Sequence, residues 1–226
     1  MDETITITRI SHWSWFLIRY KDWTIHIDPG YGNDREWQQL APIAFDAKAS
    51  LVLITHGHYD HVRPEALRRL IGPQTIVLAP FGAIDEETFP HRRIEVGAFY
   101  EVGPVQIGVI DAYNTPSGHS TKKYHEKGVG VGYVLHLGTK RIYHSGDTDV
   151  IPDMEKIHGV DVALLPVSGV YVMDVEEAAS AAAIIRPGLL LPMHEMTVTE
   201  RDVKQLSRLL PNQNIAYLRI GQSVSI

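Results

Sequence analysis

A chain of 226 residues, 44% of them hydrophobic, is long enough to enclose a sizeable core without covalent staples. It has no cysteine, which excludes disulfides, thiolate metal sites and a cysteine nucleophile, so any metal must be held by imidazole and carboxylate. A net charge of -6 argues against a broad polyanion-binding surface and so against nucleic acid as a partner.

The start, Met1-Asp2-Glu3-Thr4, is acidic and lacks the basic and apolar regions of a secretory signal. No window approaches the roughly 18 apolar residues of a membrane span, and a cytoplasmic location is expected. Thr4 to Ile10, Trp15 to Arg19 and Thr24 to Asp28 mix β-branched and aromatic residues and read as an antiparallel meander. Leu51 to Ile54 is wholly apolar, which predicts a strand buried on both faces. Pro64 suits a first helical position, and the helix continues over Glu65 to Ile71, stopping at Gly72-Pro73. Strands follow at Thr75 to Ala79, Val105 to Ala112, Val129 to Leu137 and Arg141 to His144, the last two joined by a hairpin around Gly138-Thr139.

The second half alternates. Val162 to Pro166 is a strand, Val175 to Ile185 a helix, Leu189 to Pro192 a strand and Glu200 to Leu210 a helix, with a last strand near Ile215 to Arg219. Asp174 is a good helix cap, with Glu176 and Glu177 in the first turn where carboxylates suit the helix dipole. No repeat, low-complexity tract or linker interrupts the chain, so residues 1–226 read as a single domain. Two β-rich halves with helices outside predict a four-layer αββα sandwich.

The chemistry concentrates behind the apolar strand. His56 and His58 are two apart, so an extended backbone sends both imidazoles to one side. Asp60 and His61 follow in the turn before the helix. Four metal-competent side chains therefore converge on a small volume; a plain solvated turn would leave crowded polar groups without partners.

His56-Gly57-His58-Tyr59-Asp60-His61 matches the H-x-H-x-D-H signature of the metallo-β-lactamase superfamily. Ile27-Asp28-Pro29-Gly30 resembles that family's early Asp-containing turn, Ser145-Gly146-Asp147-Thr148 its Gly-Asp-Thr segment, and Leu191-Pro192-Met193-His194 its last histidine strand end. Pro166-Val167-Ser168-Gly169, Met173 and Glu176-Glu177-Ala178-Ala179 look most like the ascorbate-phosphate lactonase-like branch of small metal-dependent hydrolases.

The resemblance implies an αββα fold and two divalent cations: zinc first, with manganese or iron as alternatives. One would be held by His56, His58 and a third histidine, the other by Asp60, His61 and His194, with Asp147 bridging. For the third histidine the sequence offers two residues, because the strand Val105 to Ala112 ends in Tyr113-Asn114 where many relatives place a histidine. His119, in a Pro-Ser-Gly-His segment, is preferred; His125 is the alternative, and Asn114 or an open position a third. Asp28 is expected to orient a metal-binding histidine, and His144 to orient a ligand or pack in its strand. His12, His26, His91, His136 and His158 read as structural or surface residues, and the four tryptophans as packing.

Such a centre would acidify a bridging water towards about pH 7 and polarise the attacked group, with Asp60 as the catalytic carboxylate. The expected activity is hydrolysis of a small polar ester, lactone or phosphorylated substrate. The alternatives are a phosphodiesterase or nuclease on the same centre and a non-hydrolytic diiron or metal-binding protein. The expected partner is a small molecule, and a homo-oligomer is compatible with the sequence.

Overall fold

The computed structural model describes residues 4–194 and 200–226; Met1 to Glu3, read above as part of an acidic start, lie outside them. The chain divides into two compact units, residues 1–94 with 218–226, and residues 95–217.

The first unit is built on a seven-stranded sheet. Strands β1 (Ile5–Arg9), β2 (Phe16–Tyr20) and β3 (Trp23–Ile27) form the expected antiparallel meander. Beyond β3 the sheet turns parallel through β4 (Leu51–Leu53), β5 (Ile76–Pro80) and β6 (Arg92–Ile94). The carboxyl ends of β3, β4 and β5 therefore open on one edge, where crossover connections leave loops available for chemistry. Helices α1 (Asp34–Ala44) and α2 (Pro64–Leu70) supply those crossovers. Leu40 and Ala44 of α1 and Ala66, Leu67 and Leu70 of α2 share a core with Leu17, Val52, Val77 and Ala79. The alternate strand residues Ile18, Ile25, Leu51, Leu53 and Leu78 are also fully buried, as the apolar β4 run predicts.

Helix α1 has no counterpart in the sequence reading, because Pro42 lies inside it and the preceding stretch carries turn formers. Local capping offsets this: the Asn33 side chain accepts from the Glu36 amide, and Glu36 is itself buried, accepting from the backbone of Gly32 and His12.

The second unit carries a six-stranded sheet. Strands β7 (Phe99–Val102), β8 (Val105–Ala112), β9 (Gly130–Leu137) and β10 (Lys140–His144) pair antiparallel. Strands β11 (Val162–Pro166) and β12 (Leu189–Met193) then add in parallel to β10. By this topology β8, β10, β11 and β12 all point the same way. Asn114, Asp147 and His194, which follow β8, β10 and β12, consequently emerge at one edge. Helix α3 (Val175–Ile185) has Asp174 as its cap, accepting from the Glu177 amide as expected. It packs Ala178, Ala181, Ala182 and Ile185 against Ala163, Leu165 and Leu190, with Met154 and Ile157 of a short 3-10 turn beside them.

Helix α4 spans Glu200–Leu209. The strand expected over Ile215 to Arg219 reduces to a single bridge, Leu190 with Ile215, and the last strand is β13 (Ser223–Ser225), paired to β1. Among the described residues no helix is long and apolar enough to cross a membrane.

Candidate metal centre

In the first unit, β4 delivers Thr55 and His56 at the sheet edge, and the chain turns at once: the amides of His61 and Val62 both donate to the His58 carbonyl. That turn folds His61 back until its ring centroid lies 4.0 Å from that of His56. His56 Nε2 and His58 Nδ1 stand 3.0 Å apart. His56 and His61 are buried, Asp60 is half-buried and His58 exposed.

Asp28, fully buried, organises this cluster. Its Oδ1 accepts from the Thr55 amide at 2.7 Å; its Oδ2 accepts from the Thr55 hydroxyl at 2.7 Å and from His61 Nδ1 at 2.7 Å. The carboxylate thus holds the proton of His61 on Nδ1 and makes Nε2 the nitrogen with a lone pair to give. The Thr55 proton is committed to Asp28, so the Thr55 oxygen, 3.0 Å from His56 Nδ1, accepts from that ring and sets the same tautomer there.

Backbone conformation is spent to reach this geometry. Asp28 sits at φ 51, in the left-handed region that costs a non-glycine residue energy and persists where surrounding contacts over-determine it. Gly30 follows, and a Cβ there would come within 2.2 Å of the Asp60 carbonyl carbon and 2.3 Å of the His61 amide nitrogen. The Asp28 turn and the Asp60-His61 turn are therefore in backbone contact, and only glycine fits between them.

In the second unit, Asp147 is the hub. Its Oδ2 lies 3.0 Å from His194 Nε2 and 3.3 Å from His125 Nε2, and all three side chains are buried. His194, just past β12, also adopts positive φ, 57. Asp147 reaches its place through the tight turn after β10, where the Gly146 amide donates to His144 Nδ1 at 3.2 Å. His144 therefore holds the turn that presents Asp147. The strand alongside has to be bare there: a Cβ on Gly132 would meet the Ser145 carbonyl oxygen at 2.7 Å.

His119 and His125 separate clearly. His119 has a half-exposed side chain, donates from Nδ1 to Asp174 at 2.9 Å, and has its backbone amide on Glu177. The Asp174 hydrogen bond, followed by that residue's charge, raises its pKa above the usual 6.5. His125 is buried, with Nδ1 3.1 Å from both Asn114 Oδ1 and the Tyr171 carbonyl oxygen, which aims Nε2 at Asp147. The structure thus brings His125, Asp147 and His194 together and leaves His119 at the head of α3.

Two more residues of this cluster act in ways the sequence reading did not give them: Asn114 entered it only as a third alternative for the ligand, and Asp149 not at all. Asn114 grips His125, and Asp149 is fully buried, accepting from Asn114, Thr115, Ser120 and Lys123. In the first unit Thr55 was likewise legible only as part of the run before His56. The one signal for Asp149 was a second aspartate two residues after Asp147.

The donor sets fit divalent cations. Two ligand atoms at about 2.1 Å from one tetrahedral ion stand about 3.4 Å apart; the spacings of 3.0, 3.0 and 3.3 Å above are of that kind. Imidazole nitrogens, Nδ1 from His58 and Nε2 from His56, His125 and His194, together with a buried carboxylate suit zinc, manganese or iron.

Residues 6–194 match the family model described as a β-lactamase superfamily domain. A metal-dependent hydrolase of Pyrococcus abyssi is 31% identical over 187 residues, 78% of this chain and 81% of that one. A protein of the same UPF0173 group from Pyrococcus furiosus is 34% identical over 175 residues, 74% and 77% of the two chains. Among solved structures, the metallo hydrolase Igni18 from the hyperthermophilic archaeon Ignicoccus hospitalis superposes with a TM-score of 0.81 at 26% identity, covering 99% of this chain and 98% of that one. The chain belongs to the β-lactamase superfamily, as one of its metal-dependent hydrolases.

Proposed function

We propose that residues 1–226 act as one hydrolase domain whose two clusters serve a single dinuclear centre. His56, His58 and His125 hold one cation, Asp60, His61 and His194 the other, and Asp147 serves both. His125 takes the role that the sequence alone had given to His119. The observation that carries this reading is Asp147 Oδ2 in reach of two buried imidazole Nε2 atoms, 3.0 and 3.3 Å away. One buried carboxylate oxygen between two imidazole nitrogens is a donor arrangement that suits a divalent cation.

Zinc is the first choice of metal. When bound, the cations supply Lewis acidity that brings the pKa of water down towards about 7 and polarises the group under attack. The protein's own part is to hold ligands and move a proton. Asp28, through Thr55 and His61, keeps the imidazole protons on Nδ1. Asp60 orients the attacking water and accepts its proton.

The substrate proposed is a small polar ester, lactone or phosphorylated compound. The Pro166 to Ala179 resemblance to the ascorbate-phosphate lactonase-like branch supports a phosphorylated lactone. The net charge of -6 does not favour a long polyanion. Turnover should be measured on a panel of carboxylic esters, lactones, phosphomonoesters and phosphodiesters with each metal restored in turn, beside His58→Ala and Asp147→Ala. Hydrolysis of a small ester, lactone or phosphoester lost in both variants supports the reading. No turnover on any substrate by the fully loaded parent, or preference for nucleic acid, overturns it.

A further inference from the structure

His125 lies at the end of an irregular segment, residues 115–124, that has neither helix nor strand. A ligand on such a segment needs something else to fix it, and the hydrogen bonds show what does. Asn114 makes three to His125: its backbone amide donates to the His125 carbonyl at 2.8 Å, and its Oδ1 accepts from the His125 amide at 2.9 Å and from His125 Nδ1 at 3.1 Å. The opposite end of the same amide, Nδ2, donates to the Tyr171 carbonyl at 2.8 Å and to Asp149 Oδ1 at 3.3 Å. Acceptors on one side and donors on the other admit a single orientation of the amide; a flip would set four like groups against one another.

Together with the Tyr171 carbonyl, Asp149 fixes that orientation. Its carboxylate is fully buried and takes the Thr115 amide at 2.8 Å, the Ser120 hydroxyl at 2.8 Å and Lys123 Nζ at 3.0 Å as well as Asn114. The segment closes round it so tightly that a Cβ on Gly118 would fall 2.1 Å from Asp149 Oδ2. One buried carboxylate thus anchors both the segment that carries His125 and the amide that, with the Tyr171 carbonyl, sets the His125 tautomer.

We propose that Asn114 is a positioning residue for His125 and that Asp149 positions Asn114, so that Nε2 of His125 is aimed at Asp147. The inference rests on the reading of His125 as a metal ligand. Outer partners of this kind change metal affinity by about 10- to 100-fold when removed.

The test uses the full chain, stripped of metal and titrated with Co2+ alone against a competing chelator, with the cobalt absorption spectrum recorded. Asn114→Leu removes both ends of the amide; Asn114→Asp keeps the acceptor for His125 but sets a carboxylate against Asp149 and the Tyr171 carbonyl, and serves if the leucine variant fails to fold. His125→Ala is the comparator. In metal-free protein, the His125 Nδ1 proton is followed by 15N-edited NMR as a readout that needs no metal. The expected result, with the fold intact, is an affinity about 10- to 100-fold weaker at one cation and an altered cobalt spectrum in both Asn114 variants, with faster exchange of the Nδ1 proton in Asn114→Leu, where only the Tyr171 carbonyl remains to accept it. Parent-like affinity and spectrum in a folded Asn114 variant, while His125→Ala loses a cation, overturns the positioning role alone. Full metal loading in His125→Ala overturns the ligand reading and this inference with it.

Discussion

Asp28 Oδ2 accepts from His61 Nδ1 at 2.7 Å with both side chains fully buried, and the same carboxylate holds Thr55 by amide and hydroxyl. A short turn after β3 thereby controls the tautomer of a residue 33 positions away.

Asp28→Asn keeps the size and tolerates the left-handed backbone, but it cannot accept from Thr55 and His61 at once on both atoms. One buried donor is left facing an amide N–H. We expect stability to fall by about 1 to 3 kcal/mol and metal affinity by about 10- to 100-fold, read by denaturant titration and chelator competition. Unchanged affinity would mean that the His61 tautomer is set elsewhere.

Gly30→Ala should be worse than Asp28→Asn for the fold, because the added Cβ would stand 2.2 Å from the Asp60 carbonyl carbon and backbone on both sides has to move. A loss of about 3 kcal/mol, the upper end for overpacking, is expected, with the His61 resonances displaced. A variant as stable as the parent would show that the two turns are not in contact in solution.

His119→Gln is expected to bind as much metal as the parent, while His125→Ala loses a cation; elemental analysis of the two decides between them. The pH behaviour of His119 follows from its raised pKa. Its contribution is fully present below the unfolded value of 6.5 and is lost as pH rises through the higher folded value. An NMR titration should give a midpoint above 6.5 in the parent, falling towards 6.5 in Asp174→Asn.

His26 behaves in the opposite sense. It is fully buried, accepts from Trp15 Nε1 at 3.0 Å, and has its pKa pushed down to about 3, chiefly by burial and then by the Arg19 charge. The unfolded chain takes up the proton near 6.5 and the folded one does not, so stability is present above 6.5 and falls on acidification towards 3. The loss approaches about 1.4 kcal/mol per pH unit. His26→Gln, which can still accept from Trp15, should lose less stability than the parent between pH 6 and pH 4. Parallel curves for the two proteins would contradict the assignment.

Much of this was legible in the sequence because it is local. The H-x-H-x-D-H run and the apolar strand before it fix where four donors go, and Val105–Ala112, Val162–Pro166 and Val175–Ile185 were readable to the residue because each pattern ends at a clear stop. The choice between His119 and His125 was not. It depends on Asn114 pairing with a residue 11 positions on and on Asp149 drawing the intervening segment inward, a long-range closure that leaves no periodic trace. The same holds for the last strand: Ile215 to Arg219 has the composition of a strand, yet only Ile215 bridges, and the weaker-looking Ser223–Ser225 finds the open edge of β1.

The measurement closest to the central claim is metal content per chain in protein purified without chelators, set beside Asp147→Ala, with turnover of the best small ester or lactone followed in both. The account predicts about two equivalents in the parent, one or none in the variant, and activity that disappears with the metal. A parent that stays metal-free when offered zinc, manganese or iron, or an Asp147→Ala variant that keeps its full metal and full turnover, would contradict it.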